Sequence, residues 1–239
     1  MVGTLINAAG IIAGGILGLT VTKPLSTHSQ RRLKVLLGAF SVYIGLSMTW
    51  TSLHGSFLQI LKQFCIVMLA LMLGKFTGHL LRLQKGANHL GRFAKERFAA
   101  AQSAPHARVS EGFVTCTILF CVAPLAVLGP LQEGLKGEVK TLAIKTVMDG
   151  LATMAFAQTF GWGVVLSVLP VVAYQGTLTL GAKALAPILE NHALLDPVSA
   201  TAGLVVFSVA LVILELRKVE LTNYLPSLVY APLLTWLFH

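Results

Sequence analysis

Lys145 and Asp149 lie four residues apart inside the apolar run TLAIKTVMDGLATMAFAQTF (141–160). Residues at i and i+4 share one helix face and can pair. At membrane depth charged side chains are costly, and they face a protein interior or a water-filled cavity. The pair therefore predicts a polar site inside a membrane protein. Asp149 would bind a cation or a coupling proton, and Lys145 would hold it charged or take an anionic group. The plainer alternative is an ion pair that only cements two helices, although buried pairs often add little net stability.

Four further residues could join this site. Asn7 sits in the first two turns of GTLINAAGIIAGGILGLTV, where its amide reaches a ligand or bonds a neighbouring helix. Gln132 and Glu133 follow Pro124 and Gly129-Pro130 in GFVTCTILFCVAPLAVLGPLQEGLKGE. Proline removes a backbone hydrogen bond and frees a carbonyl, which lipid tolerates only where protein or a cavity satisfies it. Gln132 and Glu133 would then line an outer vestibule; otherwise they form a solvated acidic loop after a Pro-terminated helix. Gln175 lies beside Gly176, downstream of Pro170, as a ligand contact or an interhelical hydrogen bond in a kinked helix.

Catalytic sets are missing. Asp149-Gly150 suggests an intramembrane aspartyl protease, but the only other aspartate, Asp196, falls in a loop, so no dyad forms. Neither HExxH nor GxSxG occurs. Cys65, Cys116 and Cys121 lie in apolar segments without metal spacing and read as reduced packing residues. No enzyme, metal or cofactor is expected.

The elements that must position these residues are membrane helices. The chain is 55% hydrophobic and 11% charged, against roughly 25% charged in soluble domains, and its mean hydropathy is +0.78. The expectation is an all-α, polytopic helical membrane protein of 1–239, a single integral domain with broken or kinked helices. A crossing takes about 20 apolar residues. Spans fall at 3–22, 33–52, 57–81, 112–131, 141–160, 162–186 and 198–216. An eighth, 221–238, carries Pro226 and Pro232 and is short, so the count is seven to eight. The first segment lacks a basic n-region and reads as a span, not a cleaved signal.

Charge sets the orientation. Loop 23–34 carries Lys23, Arg31, Arg32 and Lys34, loop 82–108 carries Arg82, Lys85, Arg92, Lys95, Arg97 and Arg108, and the 217–220 turn carries Arg217 and Lys218. All twelve share one side if the N-terminus is outside, which the positive-inside tendency favours. Net charge +9 thus needs no nucleic acid. Loop 82–108, the cytoplasmic linker, mixes Leu, Phe and bases at helical spacing. It reads as an amphipathic helix on the anionic inner leaflet or as a solvated linker ending in SAPHARVSEG.

The halves 3–81 and 112–186 show weak similarity. LGAFSVYIGL (37–46) matches LAIKTVMDGL (142–151), LMLGK (71–75) matches LTLGA (178–182), and Gly3 matches Gly112. Three spans per half would invert a duplicated unit, the usual architecture of many secondary transporters; spans 198–238 would be additions. In that register Phe40 and Ile44 stand where Lys145 and Asp149 do. Gly10, Gly14 and Gly18 recur every four residues and form a close-packing seam, within the chain or across a homodimer.

Several ordered stretches, GTLINAAGIIAGGILG, GFVTCTILFCVAPLAVLGPLQEGL, KTVMDG, YQGTLTLGA and NYLPSLVYAP, resemble the YqgA-like membrane proteins, a bacterial family of unknown function. Ala123 and Glu133 depart mildly from the Gly and Asp usual in that family. The resemblance implies a multi-spanning inner-membrane protein and no particular substrate. The leading expectation is a permease for a small polar solute or ion, acting through Asp149, Lys145, Asn7, Gln132, Glu133 and Gln175. Its rivals are a non-transporting scaffold or sensor whose polar residues are structural, and a channel.

Overall fold

The computed structural model describes residues 1–21, 26–103, 108–191 and 193–238. Lys23 and the 104–107 part of SAPHARVSEG, read above as loop, lie outside them. Among the described residues all regular structure is helical. The α-helices are α1 (Val2–Thr20), α2 (Thr27–Thr51), α3 (Phe57–Leu80), α4 (Leu83–Ser103) and α5 (Arg108–Val122). They continue with α6 (Leu125–Lys136), α7 (Lys140–Phe160), α8 (Val168–Asn191), α9 (Leu195–Ile213) and α10 (Ser227–Leu237). Short 3₁₀ segments, Gly161–Ser167 and Leu221–Tyr224, precede α8 and α10.

Among the described residues, five helical stretches are long and apolar enough to cross a membrane: Val2–Thr20, Arg31–Thr51, Phe57–Leu80, Lys140–Asn191 and Leu195–Ile213. The α5–α6 pair, bent by 58°, makes a sixth if counted as one crossing. The bend falls at Pro124, where the sequence predicts a break; Pro130 sits inside α6. Pro170 differs from expectation. It lies in the first turn of α8, not mid-helix, where its missing N–H costs no intrahelical bond.

The chain divides into two compact units, Met1–Thr27 with Gly86–Ala182, and His28–Lys85 with Lys183–His239. In the first unit, the chain from Lys140 to Ala182 folds back on itself. Asn7 bonds both Asp149 and Gln175, and those two residues would stand roughly 39 Å apart on a straight helix. The reversal occurs at Gly161, whose φ of 72° and ψ of −153° suit glycine alone. Ile11, Cys116, Phe120, Phe160, Val164 and Val171 form the apolar core beside it. Helix α4, expected as an amphipathic helix, buries Ala94 fully. Its Ala94 carbonyl accepts from Thr115 Oγ1 of α5 at 3.4 Å, so one face of α4 packs on protein.

In the second unit, α2 and α9 approach closely enough that a Cβ on Gly45 would stand 2.7 Å from the Gly203 carbonyl oxygen. Helix α3 packs on the start of α10, where a Cβ on Gly74 would meet Ser227 at 2.5 Å. Lys75 Nζ lies over the Tyr224 ring, 5.8 Å from its centroid. Helix α10 is 11 residues, about 16 Å at 1.5 Å per residue, well under a hydrocarbon core of about 30 Å.

Candidate functional site

Gly3, Asn7, Gly10, Gly14 and Gly18 follow steps of four, three, four and four, so they share one face of α1. That face lies on α7. A Cβ would stand 2.5 Å from Thr146 Cγ2 at Gly10, 2.8 Å from the Gly150 carbonyl carbon at Gly14, and 2.8 Å from Ala157 Cβ at Gly18. The glycine seam is therefore used within the chain. Bare glycines let the two backbones approach, and Asn7, the polar member of the series, is carried onto Asp149.

Asn7 is fully buried. Its Nδ2 donates to Asp149 Oδ2 at 3.1 Å and to Gln175 Oε1 at 3.2 Å. Lys145 Nζ donates to the same Asp149 oxygen at 2.5 Å. Lys145 and Asp149 are 1% and 6% exposed, so the pair is shielded from solvent. The ammonium also lies over the Phe120 ring of α5, 5.8 Å from its centroid, a favourable charge–quadrupole contact.

Glu133 occupies α6, not a solvated loop, and is 6% exposed. Its Oε1 accepts from the Gly3 backbone N–H at 2.7 Å, and its Oε2 from the Thr4 N–H at 3.3 Å and Thr4 Oγ1 at 3.1 Å. Thr179 Oγ1 of α8 donates to Oε2 at 3.4 Å, and the Met1 amine lies 3.0 Å from Oε1. A helix start leaves its first N–H groups unbonded and carries partial positive charge, and Glu133 answers both for α1. Gln132, beside it in α6, is also buried. The vestibule expected at these two residues is thus a packed interior: α6 runs on past Pro130 and ends only at Gly137, whose φ is 70°.

The structure brings Asn7, Lys145, Asp149 and Gln175 into one hydrogen-bonded group, with Glu133 joined to two of the same helices, α1 through Thr4 and α8 through Thr179. Gln132 is buried nearby on α6 and bonds to none of them. Thr4, Thr179 and Phe120 escaped the sequence reading. Thr179 stands four residues after Gln175 and Thr4 three before Asn7, a helical spacing that was there to be read. Three buried polar atoms of these site residues lack a partner among the described residues, Asn7 Oδ1, Gln132 Oε1 and Gln175 Nε2, as do Thr117 Oγ1 and Ser199 Oγ elsewhere. Left empty, each costs about 1–3 kcal/mol. Such a group can hold a proton or cation at Asp149 and hydrogen-bond a small polar molecule through the amides. Among the described residues no three His, Cys, Asp or Glu converge as a metal site.

The second unit holds a separate cavity of about 420 Å³, lined by His54, Gln59, Lys62, Gln63 and Asp196 over Ile66 and Val67. His54 Nδ1 stands 3.8 Å from Asp196 Oδ2. Sequence reading passed over it because its residues come from helix ends far apart in the chain.

Long apolar helices around a buried, charged hydrogen-bond cluster define a helical membrane protein with an internal polar site. The chain belongs to the family described as "Protein of unknown function (DUF554)", whose model matches residues 2–236. It is similar to the "Uncharacterized membrane protein YdfK" of Bacillus subtilis (strain 168), 29% identical over 240 residues, covering 100% of this chain and 97% of the relative. It is also similar to the "Uncharacterized protein YqgA" of Escherichia coli (strain K12), 26% identical over 234 residues, covering 97% and 94%. No solved structure matches. The family indicated by the sequence motifs is the family found.

Proposed function

We propose that this chain is a secondary transporter moving a small polar solute or ion across the bacterial inner membrane, without covalent chemistry. The observation that carries this reading is the buried group of Asn7, Lys145, Asp149 and Gln175, charged yet incompletely satisfied. Polar groups that serve only as glue are expected to bond one another fully; here Asn7 Oδ1 and Gln175 Nε2 are left over. In this reading Asp149 carries the coupling cation or proton, Lys145 balances it, the Asn7 and Gln175 amides supply neutral contacts, and Gln132 and Glu133 border the site from their buried places on α6.

The proposal includes seven or eight crossings, with α7 and α8 as separate spans because they fold back. It places the N-terminus outside and the basic loops 23–34 and 82–108 in the cytoplasm. It also includes the inverted repeat of 3–81 and 112–186. Gly45 and Gly150, equivalent in the repeat register, are each a point of close helix approach, Gly45 to Gly203 and Gly150 to Gly10. With the α1 seam occupied by α7, a homodimer would use another surface.

A scaffold reading draws support from the direct, shielded contact between Lys145 and Asp149. The two readings separate on one experiment. Proteoliposomes carrying purified protein and an internal pH dye are challenged with a panel of small polar solutes and monovalent salts under an imposed potential. Wild type is expected to carry flux, and Asp149→Asn to abolish it while keeping the helical spectrum and elution volume. Undiminished flux in the variant would remove Asp149 from the mechanism, and no flux in either would favour the scaffold. Single-channel currents would identify a channel.

A further inference from the structure

Hydrogen-bond polarity in this cluster is dictated by one charge. Asp149 Oδ2, as a carboxylate oxygen, can only accept. Of the two ends of the Asn7 amide, only Nδ2 can therefore face it. The same Nδ2 faces Gln175, which must then turn its Oε1 inward. The leftover ends follow by necessity: an acceptor at Asn7 Oδ1 and a donor at Gln175 Nε2, both on residues with no exposed surface. Amide orientation at ordinary precision is assigned from the network, and here the carboxylate fixes the whole chain of assignments.

We propose, resting on the transport reading above, that Asn7 and Gln175 are the recognition pair of the site, and that protonation of Asp149 reverses the hydrogen-bond polarity they offer. With Asp149 ionised, the pair takes an uncharged group that presents a donor to Asn7 Oδ1 and an acceptor to Gln175 Nε2 from separate atoms, as a carboxamide can. Lys145 and Asp149 already neutralise each other, so the pair itself asks for no charge. When a proton from water binds the Asp149 carboxylate, the new O–H donates. Asn7 then turns its Oδ1 inward, and its carbonyl also accepts from Gln175, which turns its Nε2 inward. The leftover ends become a donor on Asn7 and an acceptor on Gln175. A ligand seated in one state meets like against like in the other, which is a direct coupling of proton binding to solute release.

The groups facing Asp149 are few. Lys145 comes from its own helix, and the Cys116 and Cys121 thiols of α5 are near enough to feel the Asp149 charge. From α1 it meets the Asn7 amide, with Gln175 of α8 behind, and neither titrates. The Lys145 ammonium keeps its bond in both states through the remaining lone pairs of the carboxyl group.

The test is infrared difference spectroscopy of the full chain in nanodiscs, with isotope-labelled glutamine side chains. Subtracting the spectrum of Gln175→Met assigns the Gln175 band. Separate labelling of asparagine in the unsubstituted protein follows the Asn7 side of the relay if that variant fails to fold. On lowering pH, a protonated-carboxyl band that Asp149→Asn removes is expected to rise with the same midpoint as the amide shift. Acetamide, the probe for a donor-plus-acceptor group, is expected to shift the amide band at high pH. A carboxyl band that titrates past motionless amides overturns the relay, as does a carboxyl that never titrates while the protein is folded. An amide band indifferent to acetamide overturns the recognition role. Flux is measured on the same preparation: coupled bands without flux sink the transport reading alone, and flux without coupled bands sinks the relay alone.

Discussion

Replacing Gly14 by alanine tests whether the glycine seam positions the site. The new Cβ would stand 2.8 Å from the Gly150 carbonyl carbon and 2.9 Å from Gly150 Cα, with the Gly150 carbonyl oxygen closer still. These are backbone atoms, so no flexible side chain can yield. Ordinary contact begins at 3.4 Å, so α1 must retreat by at least 3.4 − 2.8, or 0.6 Å. If α1 translates as a rigid rod, the Asn7–Asp149 bond lengthens from 3.1 to about 3.7 Å, past the range of a hydrogen bond. If α1 instead tilts about Gly3, Asn7 moves by only 4/11 of that, about 0.2 Å at this minimum retreat, and the bond survives as long as the retreat stays near the minimum. Glu133 grips the N-terminal end of α1 but does not fix its angle.

Overpacking costs about 1–3 kcal/mol, and loss of a hydrogen bond to a charged group about 1.5–3. Translation therefore predicts a loss of roughly 2.5–6 kcal/mol, and tilting roughly 1–3. Unfolding by steric trapping in mixed micelles reads the difference. Gly181→Ala is the control, because a Cβ there meets nothing within 4 Å and alanine favours helix by up to about 1 kcal/mol. A cycle with Asn7→Ala separates the two motions: under translation the second substitution adds little, under tilting it adds its full cost. If Gly14→Ala were as stable as Gly181→Ala, the seam would not set the helix spacing and the account of the site would fail.

Two further outcomes follow from the charges. Lys145→Met leaves Asp149 buried without its ion partner and should cost about 3–5 kcal/mol, whereas Lys145→Met with Asp149→Leu should recover most of it. The same unfolding assay checks this, and a double variant that still carries flux would remove the pair from the transport mechanism. At the end of α9, Lys34 hydrogen-bonds Glu215 and holds its carboxyl below the ordinary glutamate range, through that bond first and its charge second. A carboxyl lowered in the folded state stabilises above its unfolded value of about 4.3 and ceases to as pH falls through the folded one. The stability gap between wild type and Lys34→Ala should therefore be small at neutral pH, shrink with salt and close in acid; a gap that widens in acid would contradict the assignment.

Much of the helical frame was legible because hydropathy reports it directly. The 141–160 span is α7, Lys140–Phe160, and the break at Pro124 is where proline removes an N–H. What hydropathy cannot report is which apolar faces meet. The Gly10, Gly14 and Gly18 series announced a close approach, but its partner surface, Thr146, Gly150 and Ala157, lies more than a hundred residues away. Glu133 misled for a related reason. A carboxylate after Gly-Pro looks like a solvated loop until the start of α1, with its unbonded N–H groups, is placed against it. The cavity near His54 and Asp196 likewise forms from the ends of elements with no shared local pattern.

The seam and the site are one device. Glycine on α1 gives up side-chain contact and helix propensity, about 1 kcal/mol per residue against alanine, to bring two backbones together. The closeness holds Asn7 against the Lys145–Asp149 pair at hydrogen-bond range. A chain selected for stability alone could close the same interface with alanine and leucine and dispense with the buried charges, since well-packed apolar residues commonly match or exceed an ion pair. Here the costs accumulate at one place, in glycines, a buried ammonium and the leftover ends of two amides. The two amides whose ends remain unbonded belong to α1 and α8, so the cost falls on the helices that close over the Lys145–Asp149 pair.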